Sequence, residues 1–216
     1  MMLLILARHG NTFEAGEKPV WVGARTDLPL TQKGREQAAA LGEALKPFAP
    51  RIRRIAAGPL ARTREHAEIA AATADLSAPV DIDDRLREID YGDWEGRSSE
   101  DIEASGGAAE LAAWDERGVW PISAGWLPCT YAIDARASAL AGEAARDAEA
   151  GDAALFVTSN GVLRYFLKLV PGAFEAAVVE RTLKVATGHV CALRLEGDAW
   201  GVVLWNVKPG ELAALL

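Results

Sequence analysis

Residues 3–10, with the sequence LLILARHG, constrain the fold of this chain more than any other stretch. The uninterrupted aliphatic run predicts a short strand that is buried on both faces, as strands of parallel sheets are. Arg8 and His9 then stand at the carboxyl end of that strand, where open α/β sheets bind ligands, and Gly10 lets the backbone approach a ligand closely. A guanidinium beside an imidazole that attacks phosphorus suits a phosphoryl group, although a solvated arginine and a packed histidine fit the triplet equally well.

Strands and helices are predicted to alternate along the rest of the chain. Strands are predicted at 54–57, 80–82 and 153–158, and helices at 32–46, 60–73, 131–150, 162–170 and 174–181. Residues 190–195 and 200–206 are predicted to pair as an antiparallel hairpin. This alternation predicts a single α/β domain over residues 1–216, with a mostly parallel mixed sheet and helices on both of its faces.

Residues 97–130 are less regular than the rest of the chain. Glycines and prolines are expected to break any long element here: Gly106, Gly107, Pro121, Gly125 and Pro128. Trp114, Trp120 and Trp126 also lie in this segment. We interpret it as a cap or lid over a site, with the anchoring of a loop as the alternative role for the tryptophans.

The charge of the chain bears on the kind of partner it binds. The net charge is −8, which argues against nucleic acid. Residues 1–64 carry eleven Lys and Arg against five Asp and Glu, a charge of +6, which leaves −14 for the remainder. A basic pocket in an acidic body suits a small anion. Alternatively, folding intersperses residues 1–64 with the acidic remainder, and the asymmetry then has no functional meaning.

Several features of the sequence predict a cytoplasmic protein. No apolar run approaches the roughly 18 residues of a spanning helix, so no membrane partner is expected. The first residues lack the basic region and the cleavage site of a signal peptide. Cys129 and Cys191 lie far apart and in no metal-binding spacing, so we expect two reduced, half-buried thiols. No metal or cofactor is predicted.

Two further stretches carry groups that suit phosphoryl chemistry. Arg62 is predicted in the first turn of a helix, where free N–H groups and the helix dipole attract anions. Residues 86–96, LREIDYGDWEG, place carboxylates in a loop. A carboxyl group beside a phosphoryl site is able to protonate a leaving oxygen, and Glu88, Asp90 and Asp93 all qualify by their chemistry. Taken singly, each of these residues also fits a solvated surface.

Five motifs occur in an order that resembles the histidine phosphatase superfamily, in its phosphoglycerate-mutase-like branch 1. They are RHGNT at 8–12, the stretch from Gly23 to Ala38, LART at 60–63, LREIDYGDWEG at 86–96 and VTSNGVLR at 157–164. Together they span most of the chain and leave residues 97–130 uncovered. The resemblance implies a three-layer α/β/α sandwich, a small phosphorylated substrate and no metal.

The resemblance implies a role for each matched residue. His9 is expected to be the nucleophile that becomes phosphorylated, with Arg8 and Arg62 holding the phosphoryl oxygens. Glu88 is expected to be the general acid, whereas Arg164 is expected to be structural. Five further residues are expected to contact the substrate or its phosphate: Gly10, Asn11, Gly23, Ser159 and Asn160.

The chain departs from the family pattern at three positions. Ser159 stands where the family has a second histidine, so that Ser159 and Asn160 keep hydrogen-bond donors but lose a positive charge. Ala15 stands where many members have an asparagine that contacts phosphate. Ile89 follows Glu88 where mutases carry an arginine, which favours a phosphatase over a mutase.

These observations leave three functions open. The first is a phosphomonoesterase, slowed by the loss of the second histidine. The second is a phosphate-binding regulatory protein with little turnover, and the third, less favoured, is a mutase-type phosphotransferase. A dinucleotide-binding domain is excluded because no Gly-x-Gly-x-x-Gly follows a strand. His66 and His189 are possible replacements for the missing histidine, although a packed structural histidine is the better interpretation of both.

Overall fold

The aliphatic run near the start of the chain forms β1 (Met2–Arg8), an interior strand of a six-stranded sheet. The computed structural model describes residues 1–146 and 148–216. The other strands are β2 (Ile52–Ala57), β3 (Val80–Ile82), β4 (Ala153–Thr158), β5 (Val190–Glu196) and β6 (Ala199–Val207). The α/β fold class and each predicted strand are confirmed.

The sheet is mostly parallel, with the strand order β3-β2-β4-β1-β5-β6. β4 pairs in parallel with β1 and β2, and β3 pairs in parallel with β2. β5 is antiparallel to β1 and to β6, which confirms the predicted hairpin. In the register of β1 and β4, Arg8 lies opposite Thr158, and the N–H of His9 donates to the Thr158 carbonyl at 3.1 Å. The residues that follow these two strands therefore leave the sheet side by side.

Two hydrophobic cores cover opposite faces of the sheet, as a three-layer sandwich requires. Leu4 and Leu6 of β1 enter one core, whereas Ile5 and Ala7 enter the other. All four side chains are fully buried. Successive side chains of a strand point to opposite faces, so a strand covered on both sides needs the continuous aliphatic run that the sequence provides.

The helices lie on both faces of the sheet. Those formed by the described residues are α1 (Gln32–Leu45), α2 (Ala61–Thr73), α3 (Ser99–Ile102), α4 (Ala108–Arg117), α5 (Thr130–Arg146), α6 (Asn160–Leu163) and α7 (Ala173–Val179). Thr31 caps α1, since its Oγ1 accepts from the Gly34 N–H at 3.1 Å. Within residues 1–146 and 148–216, no helix combines the length and the apolar character needed to cross a membrane.

The segment predicted to be irregular, residues 97–130, contains the ten-residue helix α4. Leu111 and Trp114, three residues apart, both turn into the core on one face of this helix. The expectation of no long element was wrong because it gave weight to the breakers and not to this spacing. Gly106 does break the path between α3 and α4, since its φ of 93° is left-handed.

Two predicted helices end earlier than expected. α5 ends at Arg146 and not at residue 150; of the remaining predicted positions, 147 lies outside the described residues and 148–150 are not helical. Asp152 Oδ2 accepts from the Glu149 N–H at 2.9 Å, which forms a turn in place of helix. The helix predicted at 162–170 begins at Asn160 and is α-helical only to Leu163, after which it continues as a 3₁₀ helix (Arg164–Leu169).

The prediction of two half-buried thiols was wrong for both cysteines. Cys129 is exposed just before α5, whereas Cys191 is fully buried on β5. Burial raises the pKa of the Cys191 thiol to about 12, because the apolar surroundings disfavour a thiolate. Both cysteines are free.

α1 and α2 lie in close contact at Gly42. A Cβ on this residue would lie 2.5 Å from Thr73 Cβ and 2.7 Å from the Ala70 carbonyl oxygen. Gly142 in α5 is the opposite case, because it is exposed and no atom lies within 4 Å of a Cβ placed there. The two glycines therefore separate the cost of a helix contact from the ordinary cost of glycine in a helix.

We expect Gly42→Ala to destabilise the fold by about 1–3 kcal/mol through overpacking of α1 against α2. The matched variant Gly142→Ala should stabilise it by about 0.5–1 kcal/mol, because alanine loses less backbone freedom on folding. The measurement is urea unfolding of both variants and the wild type. If both variants change the free energy of unfolding in the same direction, α1 and α2 accommodate the added methyl group without loss of stability.

Candidate active site

A cavity of about 500 Å³ opens at the carboxyl ends of β1 and β4. Arg8 and His9 line it from the end of β1, Arg62 from α2, and Glu88 from the loop before α3. The four residues predicted to carry the chemistry therefore surround one space. A second cavity of about 50 Å³, at the other end of β1, contains none of the predicted site residues.

The backbone carbonyl of the next residue, Gly10, holds the His9 ring in one tautomer. Nδ1 lies 2.8 Å from the carbonyl oxygen of Gly10. A carbonyl only accepts, so we assign the proton of the neutral ring to Nδ1, which leaves the lone pair on Nε2. Burial, together with the charges of Arg62 and Arg8, holds the pKa of His9 well below its usual range. The ring is therefore neutral at neutral pH, in the form that a nucleophile needs.

Two guanidinium groups carry positive charge to the cavity. Arg62 is 1% exposed, and its Nη1 and Nη2 donate to the carbonyls of Thr26 at 2.8 Å and Gly23 at 3.1 Å. Nη1 of Arg8 donates to the Val185 carbonyl. Burial lowers the pKa of both arginines from the ordinary value, although Glu88 opposes the shift. Backbone carbonyls thus hold both guanidinium groups in place. The N–H groups of each guanidinium that bond no carbonyl stay available to an anion.

Glu88 differs from the other two candidate acids by its position. It is 5% exposed and lines the cavity, whereas Asp90 and Asp93 do not. Asp90 pairs with Arg25 at 3.0 Å, and Asp93 is exposed. Of the three, only Glu88 is therefore placed to exchange a proton with a bound ligand.

Two backbone N–H groups fix the Glu88 carboxylate. Oε1 accepts from the N–H of Ile89 at 2.9 Å, and Oε2 accepts from the N–H of Gly161 at 3.1 Å. Gly161 has no room for a side chain, since a Cβ would lie 2.4 Å from Oε1 and 2.7 Å from Tyr91 Oη. The turn after β4 thus supports the acid directly. Burial and the charge of Glu88 raise the pKa of Tyr91 well above its usual range, so its hydroxyl stays protonated.

The two residues that replace the family histidine have different surroundings. Ser159 is 1% exposed, its Oγ has no hydrogen-bond partner, and it is not part of the cavity lining. Asn160 does line the cavity, and its Oδ1 accepts from the Val185 N–H at 2.8 Å. Since the amide oxygen is engaged, the NH₂ group is the end of Asn160 that is left for a ligand.

The remaining predicted contact residues divide into one at the cavity wall and two behind it. Asn11 lines the cavity, and its Oδ1 accepts from Thr187 Oγ1 at 2.6 Å. Gly10 and Gly23 do not line it. The N–H of Gly10 donates to His66 Nδ1 at 3.1 Å and is not offered to a ligand, while the Gly23 carbonyl holds Arg62.

The amino end of α2 does not form the open anion site that the sequence predicts. The N–H of Ala61 donates to Asp27 Oδ1 at 2.6 Å, so a carboxylate from the preceding loop already occupies this position. From the first turn of α2, only the Arg62 side chain lines the cavity. The prediction failed because a capping carboxylate more than thirty residues upstream leaves no local signal.

Neither spare histidine faces the cavity. His66 is fully buried beneath Gly10, and His189 Nδ1 lies 3.1 Å from the Asn206 carbonyl oxygen. Arg164 is also outside the lining, with its guanidinium stacked 3.9 Å from the centroid of a Trp114 ring. These packed positions agree with the structural interpretation of all three residues.

Aromatic packing behind the cavity joins the loops that form its wall. Trp126 lies at the centre of a cluster whose ring centroids are 4.7–5.8 Å from its own: Trp21, Tyr91, Trp94, Trp114 and Trp120. Of the three tryptophans in residues 97–130, only Trp114 lines the cavity. These contacts fit the alternative in which the tryptophans anchor a loop, while Ser99, Trp114 and Asp115 bring the segment to the cavity wall.

Sequence reasoning missed several residues of the wall. They are Thr12, Phe13, Trp21, Tyr91, Asp115, Lys184 and Thr187. Thr12 and Tyr91 belong to two of the motifs, 8–12 and 86–96, so their neighbourhood was a usable signal. Lys184 and Thr187 lie in a loop before β5 that has no distinctive composition. Among residues 1–146 and 148–216, no three His, Cys, Asp or Glu side chains come together in a group able to hold a metal ion.

Residues 4–208 match the model of the histidine phosphatase superfamily (branch 1). The chain is 35% identical over 127 residues to glucosyl-3-phosphoglycerate phosphatase of Mycolicibacterium vanbaalenii, across 58% of this chain and 50% of that protein. It is 37% identical over 97 residues to the probable phosphoglycerate mutase GpmB of Citrobacter koseri, across 45% of this chain and 42% of that protein. The chain thus spans about half the length of the curated relatives it matches.

Solved structures share the fold over nearly the whole chain. Bacillus stearothermophilus YhfR has a TM-score of 0.76 and 27% identity, covering 96% of this chain and 98% of its own. A mycobacterial glucosyl-3-phosphoglycerate phosphatase complexed with VO3 has a TM-score of 0.77 and 23% identity, covering 95% and 99%. The sandwich architecture is therefore the same in all three proteins.

Proposed function

The chain belongs to branch 1 of the histidine phosphatase superfamily, and we propose that it is a phosphomonoester hydrolase that acts on a small phosphorylated metabolite through a phosphohistidine at His9. The observation that carries the proposal is the placement of this ring. Nδ1 of His9 lies 2.8 Å from the Gly10 carbonyl oxygen, and the ring stands beside two guanidinium groups at one cavity. A lone pair on Nε2 beside an anion site is what attack on phosphorus requires.

The first half of the reaction transfers the phosphoryl group to the protein. Nε2 of His9 attacks phosphorus, a P–N bond forms, and the P–O bond to the leaving group breaks. Glu88 acts as the general acid and supplies the proton that the leaving oxygen takes up. Arg8 and Arg62 stabilise the charge on the equatorial oxygens, and the NH₂ group of Asn160 supplies a neutral donor.

The second half regenerates the enzyme. Water attacks phosphorus on the opposite side of the P–N bond, and Glu88, now a carboxylate, takes a proton from that water. Inorganic phosphate leaves, and His9 returns to the neutral Nδ1–H tautomer that the Gly10 carbonyl favours. No step of this sequence uses a metal ion or an organic cofactor.

The shape of the cavity supports a substrate larger than phosphate. Its volume of about 500 Å³ exceeds what a phosphoryl group fills. Phe13, Trp21 and Trp114 offer apolar surface at the wall, and Lys184 and Asp115 offer charge. We infer that the leaving group is an organic alcohol with both apolar and polar surface. We propose a small phosphorylated molecule as the partner. We also propose a cytoplasmic location, because its reducing conditions suit two free cysteines.

A second candidate function is a phosphate-binding protein with little turnover. The observation in its favour is Ser159, whose buried Oγ has no partner at the position of the family's second histidine. Ile89, which follows Glu88, favours hydrolysis over a mutase-type transfer, because mutases of the family carry an arginine there. Kinetics separates these functions.

We expect the wild type to hydrolyse some members of a screen of sugar phosphates, nucleotides and p-nitrophenyl phosphate, and His9→Ala to hydrolyse none. Wild type quenched in alkaline detergent, which preserves the P–N bond, should carry phosphate on His9 during turnover, and a chelator should leave the rate unchanged. Equal inactivity of wild type and His9→Ala across the screen, with retained phosphate binding, would establish the binding protein instead. Loss of activity in chelator that Mg²⁺ or Zn²⁺ restores would overturn the metal-free mechanism.

We expect Glu88→Gln to slow turnover of alkyl phosphates by about 10²–10⁴-fold, because the leaving oxygen loses its proton donor. p-Nitrophenyl phosphate needs less protonation and should slow much less. The measurement is kcat for both substrates, with the exposed Asp93→Asn as the matched control that leaves both rates unchanged. Equal slowing of the two substrates would remove Glu88 from the role of acid.

We expect Asn160→Asp to slow turnover by about 10²–10³-fold, because it keeps the acceptor for Val185 but turns the free donor into an anion. Ser159→Ala should slow turnover by less, because its hydroxyl lies outside the cavity lining. Steady-state kinetics of both variants on one substrate gives the comparison. The reverse order of effects would make Ser159, and not Asn160, the substitute for the family histidine.

A further inference from the structure

The backbone of Gly10 connects two buried imidazoles. Its N–H donates to Nδ1 of His66 at 3.1 Å, and its carbonyl accepts from Nδ1 of His9 at 2.8 Å. His66 lies on α2, one turn after Arg62, and is fully buried. The orientation of the His9 ring therefore depends on where the backbone of Gly10 is held.

Gly10 is held from two sides. A Cβ on it would lie 2.5 Å from the carbonyl oxygen of Gly34, so the first turn of α1 lies directly against it. His66 forms the hydrogen bond on the side of α2. Steric contact limits the position of Gly10 from α1, but the bond to His66 gives its N–H a direction.

We propose that His66 is the positioning residue of the nucleophile: its unprotonated Nδ1 anchors the Gly10 N–H, and through the Gly10 carbonyl it fixes the ring of His9. The proposal rests on the proposed function of His9, and it assigns His66 no contact with substrate. It accounts for a buried histidine that the reaction itself does not use.

The hydrogen-bond pattern requires a neutral His66. A backbone N–H only donates, so Nδ1 must be unprotonated and the ring proton must lie on Nε2. Nε2 is buried without a hydrogen-bond partner, and the loss of its hydration destabilises the fold. An apolar side chain would avoid this cost. An apolar side chain, however, would leave the Gly10 N–H buried and unpaired.

The surroundings of His66 keep it neutral. Burial lowers its pKa to about 4 from the ordinary 6.5. His9 faces it from the loop after β1, and Arg62 stands one turn earlier on its own helix. On the outer surface of the α1–α2 pair, Glu65 is neutralised by Arg35 at 2.6 Å. The stability that neutral His66 contributes is therefore present above about pH 6.5 and is lost as the pH falls through about 4.

The test compares His66→Leu, which removes the acceptor, with His66→Asn, whose Oδ1 replaces Nδ1. We expect His66→Leu to lower kcat by about 10²-fold, because small misplacements of a reacting group cost this much. The inhibition constant of inorganic phosphate should change by less than about three-fold, since both arginines remain. His66→Asn should recover most of the loss. Ala70→Gly, one turn further along the same buried face of α2, is the control for general destabilisation and should retain kcat.

A pH profile gives a readout that a purely structural role would not move. The ratio of kcat for wild type to kcat for His66→Asn should be constant between pH 6 and 8 and should fall as the pH approaches 4. Positive charge on His66 lowers the pKa of His9, which keeps the nucleophile neutral and therefore cannot cause the fall in the ratio. A ratio that is independent of pH would overturn the requirement for a neutral His66.

NMR of ¹⁵N-labelled imidazoles separates this proposal from the proposed function, because it needs no turnover. In the wild type, His9 should show a single Nδ1–H tautomer with slow proton exchange, and His66→Leu should show mixed tautomers or fast exchange. An unchanged His9 tautomer and unchanged exchange in His66→Leu would overturn the role of His66. Equal inactivity of wild type and His9→Ala would overturn the proposed function and leave the NMR result to decide the role of His66.

Discussion

The parallel pairing of β1 with β4 is the constraint on which the candidate site depends. It ends both strands at one edge of the sheet, with Arg8 opposite Thr158. The loop that carries His9 and the turn that carries Asn160 therefore start from neighbouring points. The same turn brings the Gly161 N–H to Glu88 at 3.1 Å, so a single strand pair positions the proposed nucleophile, neutral donor and acid. A slip of one residue in this register would separate them.

Excess positive charge in a buried place is the energetic cost of this arrangement. Arg62 and Arg164 are each 1% exposed, and Arg8 is half-buried, whereas the buried carboxylates near them are Glu88 and Glu95, of which Glu95 already pairs with Arg25. Burial lowers the pKa of all three guanidinium groups, which shows that their charged forms are disfavoured there. A bound anion would relieve that imbalance, and the stability gained would contribute to its affinity.

The sequence identified the groups that act at short range and missed those set by tertiary contact. β1 was predictable because a continuous aliphatic run is typical of a strand buried on both faces, and the roles expected of Arg8 and His9 came from the order of the five motifs. The role of the Gly10 N–H was not, because His66 reaches it from 56 positions away. The blocked amino end of α2 and the wall residue Thr187 were missed for the same reason, because contacts between distant segments place them. Local sequence indicates which residues have the required chemistry, whereas the packing of distant segments decides which of their donors stay free.

The arrangement of rings around Trp126 gives the protein an internal optical reporter. Five of its seven tryptophans belong to this cluster, and two of those five, Trp21 and Trp114, also line the cavity. Indole emission depends on the polarity of the surroundings, and rings this close exchange excitation energy. Occupation of the cavity at either lining ring should therefore alter the emission of the cluster as a whole. Ligands that no colour assay detects become measurable by the intrinsic fluorescence of the unlabelled protein.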